Sequence, residues 1–150
     1  MDPEQAVDGS VRLEIYRFFA EQGRAPVPAE LAESLAMDQA SVEDSLRRLA
    51  EAHLLVLAPG TPYIWMANPL SALPTPFVAD TGGRSWFGNC IWDALGIVAM
   101  FGGTGTVSSW CPDCHQRLAV SVEDNRLSSG EGVVHFAVPA SQWWDDIGFN

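Results

Sequence analysis

The segment from Asn68 to Arg84, NPLSALPTPFVADTGGR, holds three prolines and two glycines and parts the chain into two stretches of different periodicity. Such a stretch disfavours regular structure, so we expect a linker there. Helical spacing dominates before it and strand-like runs after it. This order predicts an α+β chain of two small lobes. At 150 residues, 47% of them hydrophobic, there is enough chain for one domain or two such lobes to bury a core.

In the first stretch Val11, Ile15, Phe18 and Phe19 recur at helical spacing after Ser10, a candidate N-cap. Pro28 with Leu31, Leu35 and Met37 suggests a short second helix. Ser41-Val-Glu-Asp opens a third in capping-box style, with Val42, Leu46, Leu49 and Ala50 on one face and His53 near its end. Leu54 to Leu57 and Tyr63 to Met66 read as two strands around an Ala-Pro-Gly-Thr-Pro break. Three helices and a hairpin outline a winged-helix-like lobe over residues 1–67.

Such a lobe commonly places its third helix in the DNA major groove. The charge opposes that use. Residues 1–80 hold five arginines against twelve acids, a net of −7, and the chain as a whole stands at −11 with no lysine. Phosphate backbones and anionic lipid repel such a surface, so a packing or dimerisation role fits the lobe better. A homodimer is compatible with it. No apolar run reaches the roughly 20 residues of a spanning helix, and the sequence MDPEQAVDGS lacks the basic and apolar regions of a signal peptide. A cytoplasmic protein with reduced thiols is expected.

In the second stretch, CIWDALGIVAMF from Cys90 to Phe101 is apolar at Ile91, Leu95, Val98 and Ala99, which predicts a helix ended by Gly102-Gly103. Thr106 to Trp110, Arg117 to Val122 and Val133 to Val138 predict a small, mostly antiparallel sheet.

Three cysteines are too few and too odd for a disulfide scaffold. Cys90 and Asp93 lie three apart, sharing a helix face at the first turn. There the N–H groups would favour a thiolate, and a half-buried carboxylate could hold and deliver a proton. An inert core cysteine beside a solvated acid is the plainer alternative. Cys111-Pro-Asp-Cys114-His115 has a C-x-x-C spacing open to haem-attachment, redox and zinc readings. None has its supporting context: zinc needs a second pair of ligands, and only His53, Cys90 and His135 remain. A turn with two soft thiols, able to bind metal transiently or to pack inertly, is expected. His135 reads as a sheet residue, Glu131 as a loop acid. Trp86, Trp92, Trp110, Trp143 and Trp144 read as core and interface aromatics, several of them candidates to wall a pocket around Cys90.

Asn89-Cys-Ile-Trp-Asp-Ala-Leu95, Thr106-Val-Ser-Ser-Trp-Cys111 and Val134-His-Phe-Ala-Val-Pro-Ala140, followed by a tryptophan pair, together resemble the organomercurial (alkylmercury) lyase family. The resemblance covers the chain from about residue 10. It implies an alkylmercury-lyase-like catalytic lobe over residues 85–150, behind the linker at 68–84, and protonolysis of carbon–mercury bonds. Cys90 matches the family's first catalytic cysteine, Asp93 its proton donor and Cys111 a structural cysteine; Cys114 has no counterpart. Metal ligands would come from Cys90, Asp93, Cys111 and Cys114. No cofactor is implied, mercuric ion being product or transient ligand, and the partners would be a small organometallic or organic substrate and cellular thiols.

The pattern departs from the family at one place. The second catalytic cysteine belongs just ahead of the Val-His-Phe stretch, where this chain reads Ser128-Ser-Gly-Glu-Gly-Val133 without a thiol. Relatives also continue beyond the equivalent of Asn150. A non-catalytic soft-metal-binding regulator, or an enzyme with Cys/Asp chemistry redirected to an organic substrate, therefore stands beside the lyase reading.

Overall fold

A computed structural model describes residues 3–148. The first lobe is built from α1 (Pro3–Gln22), α2 (Pro28–Leu35) and α3 (Gln39–Glu51), followed by a three-stranded antiparallel sheet, β1 (Val56–Leu57), β2 (Ile64–Ala67) and β3 (Leu70–Ser71). Val11, Ile15 and Phe19 of α1, Leu31 of α2 and Val42, Leu46 and Leu49 of α3 form its core. This is the winged-helix-like outline expected.

Two helix starts differ from expectation. α1 begins at Pro3, and Ser10 lies within it, its hydroxyl turned back on the Ala6 carbonyl at 3.0 Å. Pro at the first turn gives up only an N–H that lacks a helical partner anyway, so it starts a helix well. The cap of α3 is Asp38, whose carboxylate accepts from the Ser41 N–H at 2.9 Å; Ser41 is the third helical residue.

The second lobe is a five-stranded antiparallel sheet in the order β5-β4-β6-β7-β8, made of β4 (Val78–Thr81), β5 (Arg84–Phe87), β6 (Gly105–Trp110), β7 (Arg117–Glu123) and β8 (Arg126–Ser129). Helix α4 (Ile91–Met100) packs on β4 and β6 through Ala94, Ile97 and Val98.

The expected linker at 68–84 is largely ordered. β3 and β4 lie inside it, and Gly82 and Gly83, both at positive φ, make the tight β4–β5 turn. Its prolines flank the strands rather than interrupt them, which is how a proline-rich stretch escapes the loss of ladder hydrogen bonds. The expected strand Val133–Val138 is absent, and the last strand is β8 instead. Val133 is 94% exposed and His135 is exposed, so this apolar run has no sheet to join. The chain then makes a 3-10 turn (Ala140–Asp145), where Trp144 stacks on His53 of the first lobe with ring centroids 4.0 Å apart. No helix among the described residues is long and apolar enough to cross a membrane.

Candidate active site

Cys90 is the N-cap residue of α4, in extended backbone, and its carbonyl accepts from the Ala94 N–H at 3.0 Å. The approach to the helix is held on several sides. Gly88 bridges to Leu70, donates its N–H to the Phe77 carbonyl at 2.9 Å, and offers its own carbonyl to the Thr75 hydroxyl at 2.6 Å. A Cβ on Gly88 would stand 2.6 Å from the Ala94 nitrogen, so only glycine lets the strand close this tightly on the first turn. The Asn89 amide donates to Asn68 Oδ1 at 3.0 Å, and the Asn68 carbonyl accepts from the Tyr16 hydroxyl of α1 at 2.8 Å. The first lobe thereby reaches the residue next to Cys90.

Asp93 lies one turn on, and both it and Cys90 are half-buried. The Cys90 thiol and the Asp93 carboxylate are close enough to act on each other, and the side chain and backbone N–H of Asn89 also act on the carboxylate. Burial pushes the Cys90 thiol above its ordinary value of 9.0; the N–H groups of Asp93 and Trp92 oppose this, and the Asp93 charge adds to it. The helix terminus was expected to favour the thiolate, but desolvation outweighs it. Burial likewise raises Asp93 above 3.8, against the pull of Asn89 and Cys90. Burial thus favours the neutral thiol and raises the affinity of Asp93 for a proton.

Among the described residues the buried Asn89 Oδ1 has no hydrogen-bond partner. Sequence reasoning passed over Asn89, although its place beside Cys90 at a helix start was the available signal.

Cys111 and Cys114 occupy the β6–β7 hairpin turn, where Cys111 N–H donates to the Gln116 carbonyl at 2.8 Å and His115 N–H to the Cys111 carbonyl at 2.9 Å. All three cysteines are free thiols. The N–H groups of Cys114 and Asp113 and the Cys114 thiol hold Cys111 below 9.0. Among the described residues no three His, Cys, Asp or Glu side chains gather as a metal cluster, so the four candidate ligands fall into two pairs. Ser128–Val133 lies exposed and brings no side chain of this kind into such a group.

The tryptophans are dispersed. Trp86 is buried, stacked on Phe101, and donates to the Phe19 carbonyl at 3.0 Å; Trp92 is 67% exposed beside Cys90. Trp110 flanks the hairpin turn, Trp143 packs on Phe136 and Trp144 on His53.

No curated protein matches the chain in sequence. Among solved structures, the one titled "Crystal structure of the mercury-bound form of MerB2" is similar with a TM-score of 0.61 and 23% identity, over 81% of this chain and 59% of that chain. The likeness is one of fold, and the chain spans about three fifths of that protein's length. The family model described as alkylmercury lyase matches residues 70–149, which include β3, the whole five-stranded sheet, α4 and all three cysteines. With more than half of its residues inside that match, the chain belongs to the alkylmercury lyase family.

Proposed function

We propose that this protein cleaves carbon–mercury bonds of small organomercurials by protonolysis, with Cys90 binding the metal and Asp93 delivering the proton. The observation that carries this reading is the half-buried Cys90 thiol at the N-cap of α4 with the half-buried Asp93 carboxylate in its first turn. The substrate, R–Hg–X, exchanges its ligand X for the Cys90 sulfur: the mercury–X bond breaks, X leaves as the anion, the Cys90 proton passes to the Asp93 carboxylate, and a sulfur–mercury bond has formed. Asp93 then protonates the carbon as the carbon–mercury bond breaks. Hydrocarbon leaves, mercury stays on sulfur, and the carboxylate is regenerated. Burial keeps the Cys90 proton on sulfur until mercury displaces it, and raises the affinity of Asp93 for the proton it then receives.

The family's second thiolate has no protein counterpart beside Cys90 in this reading, and a small cellular thiol fills its place. Such a thiol both supplies the second sulfur and carries the mercuric ion away. Soft sulfur suits this soft cation.

Release of methane from methylmercury or benzene from phenylmercury, measured against a buffer-thiol control, tests the proposal. Cys90→Ser is expected to abolish release. Asp93→Asn is expected to slow it by about 10²–10⁴-fold, the usual worth of a positioned proton donor, while still binding the organomercurial. Hydrocarbon release no faster than the thiol control would overturn the reading. The absence of a third ligand side chain beside Cys90 and Asp93 among the described residues favours one second reading, soft-metal binding without turnover. Stoichiometric mercury binding with no hydrocarbon product would support it.

A further inference from the structure

The Cys111–Cys114 turn is built for more than closing a hairpin. β6 and β7 stay paired up to Trp110 and Arg117, so the turn stands on a fixed base. Pro112 restricts its second residue, and His115 takes a left-handed φ of 60°, which closes the loop back on Cys111. Cys111 N–H donates to the Gln116 carbonyl at 2.8 Å and His115 N–H to the Cys111 carbonyl at 2.9 Å, so the backbone holds Cys111 and Cys114 within one closed turn, where Cys114 and the Asp113 N–H act on the Cys111 sulfur. Both are free thiols carried three residues apart on this one backbone-fixed turn. Cys114 is exposed, so an ion carried by a small thiol can reach it.

We propose that Cys111 and Cys114 form a second soft-metal site, which takes one mercuric ion as a two-thiolate complex apart from the Cys90–Asp93 pair. The ligand count decides the metal class. Structural zinc takes four ligands, and no third His, Cys, Asp or Glu joins the two sulfurs among the described residues. A soft d10 ion content with two sulfurs in a line has its whole coordination here. The exchange balances: a mercuric bis-thiolate gives up two small thiols, the two cysteines bond to the metal, and their two protons leave on those thiols.

Position adds to this. Val78 pairs with Phe87 on one side and Ser108 on the other, so the start of α4 and the β6–β7 turn lie at the same end of the sheet. An open depression of about 650 Å³ borders the turn, lined by Thr75, Ser108, Trp110 and His115 among others. Thr75 also bonds Gly88, two residues before Cys90. The site is a holding place for the metal released at Cys90, and in that assignment alone it rests on the lyase reading.

The test is titration of the full chain with mercuric chloride in the presence of a competing monothiol, followed by ultraviolet sulfur-to-mercury absorption. Cys90→Ser is expected to bind one equivalent. Joining two thiols on one turn raises their effective concentration, so Cys111→Ser/Cys114→Ser in that background is expected to lose about a hundredfold or more in affinity. Cys114→Ser alone is expected to lose nearly as much, and a mercury-bridged peptide spanning the turn should be recovered from the unmutated chain. Zinc chloride should not displace the metal. Equal mercury affinity in Cys90→Ser and in Cys90→Ser/Cys111→Ser/Cys114→Ser, a bridge mapped to Cys90, or tight zinc binding at the turn would each overturn the proposal. No turnover is required, so failure of the lyase reading would leave Cys90→Ser binding unaltered and is told apart from failure here.

Discussion

At the scale of single residues, Cys90 and Asp93 were legible because their spacing fixes a shared helix face whatever surrounds them. Their ionisation was not legible. The helix terminus favours a thiolate, but desolvation outweighs it, and that burial comes with the fold, which clasps Gly88, two residues before Cys90, with Leu70, Phe77 and Thr75 from outside the helix's own sequence. In Cys111→Ser/Cys114→Ser, where Cys90 is the one thiol left, the alkylation rate is therefore expected to rise through a midpoint above pH 9.0. Asp93→Asn should move that midpoint down, since it removes the charge facing the sulfur. A plateau reached below pH 9.0 in the parent would contradict the burial argument. His135 shows the opposite failure: an apolar neighbourhood in sequence suggested a sheet residue, yet no strand is there to receive it. Gly88 is a further residue whose role only the fold reveals. Gly88→Ala forces a Cβ against the Ala94 backbone and is expected to cost about 1–3 kcal/mol, the usual range for overpacking. Denaturant titration checks it, and an unchanged midpoint would show that the first turn of α4 can give way.

At the scale of elements, helices read well and the later β segments less so. The apolar faces of α1, α2 and α3 stand out at helical spacing, and those residues fill the core. Starts were misplaced where a weaker cap signal, Asp38 or Pro3, preceded a stronger-looking one. β8 was missed because Arg126–Ser129 is short, polar and exposed; it pairs by backbone alone with β7. The caps have a consequence in acid. Arg24, with the Val27 N–H, holds Glu30 down at about 2 from 4.5. Asp8 is held below 3.8, first by its hydrogen bonds from Arg48, and Asp38 below 3.8 by Ser41. For depressed carboxyls the stabilisation is present above the unfolded value and lost as pH falls through the folded one. Asp93 has the reverse sign: its raised value means that acid relieves a burial cost. Between pH 4.5 and about 2, α1 to α3 should therefore lose hydrogen-exchange protection before the first turn of α4, after correction for intrinsic rates. Earlier loss at α4 would contradict the assignment.

At the scale of the whole molecule, the two lobes share hydrogen bonds that no periodicity could announce. Arg84 of β5 donates to the Ala20 and Glu21 carbonyls, both at 2.6 Å, and so supplies the cation that the last turn of α1 lacks in its own sequence. Trp86 bonds the Phe19 carbonyl beside it. These ties make the winged-helix-like lobe a support for the sheet and for α4, and the charges on α3 agree. Arg47 is committed to Asp44 at 2.6 Å and Glu43 at 3.3 Å, and Arg48 to Asp8 at 2.6 Å. The two cations that a groove-reading helix would offer to phosphates are thus paired internally, on a chain of net charge −11. Binding to DNA would have to break those pairs and overcome long-range repulsion, with few counterions to release in return. The full chain is therefore expected to leave a labelled duplex unshifted even at low salt, where electrostatic attraction is strongest. Glu43→Gln/Asp44→Gln, which frees Arg47, should still not bind, because the remaining acids keep the surface negative. A shift by the unmutated chain that fades as salt is added would mean that the lobe carries a basic face the ion pairs do not neutralise, and would return it to the nucleic-acid-binding class its outline suggests.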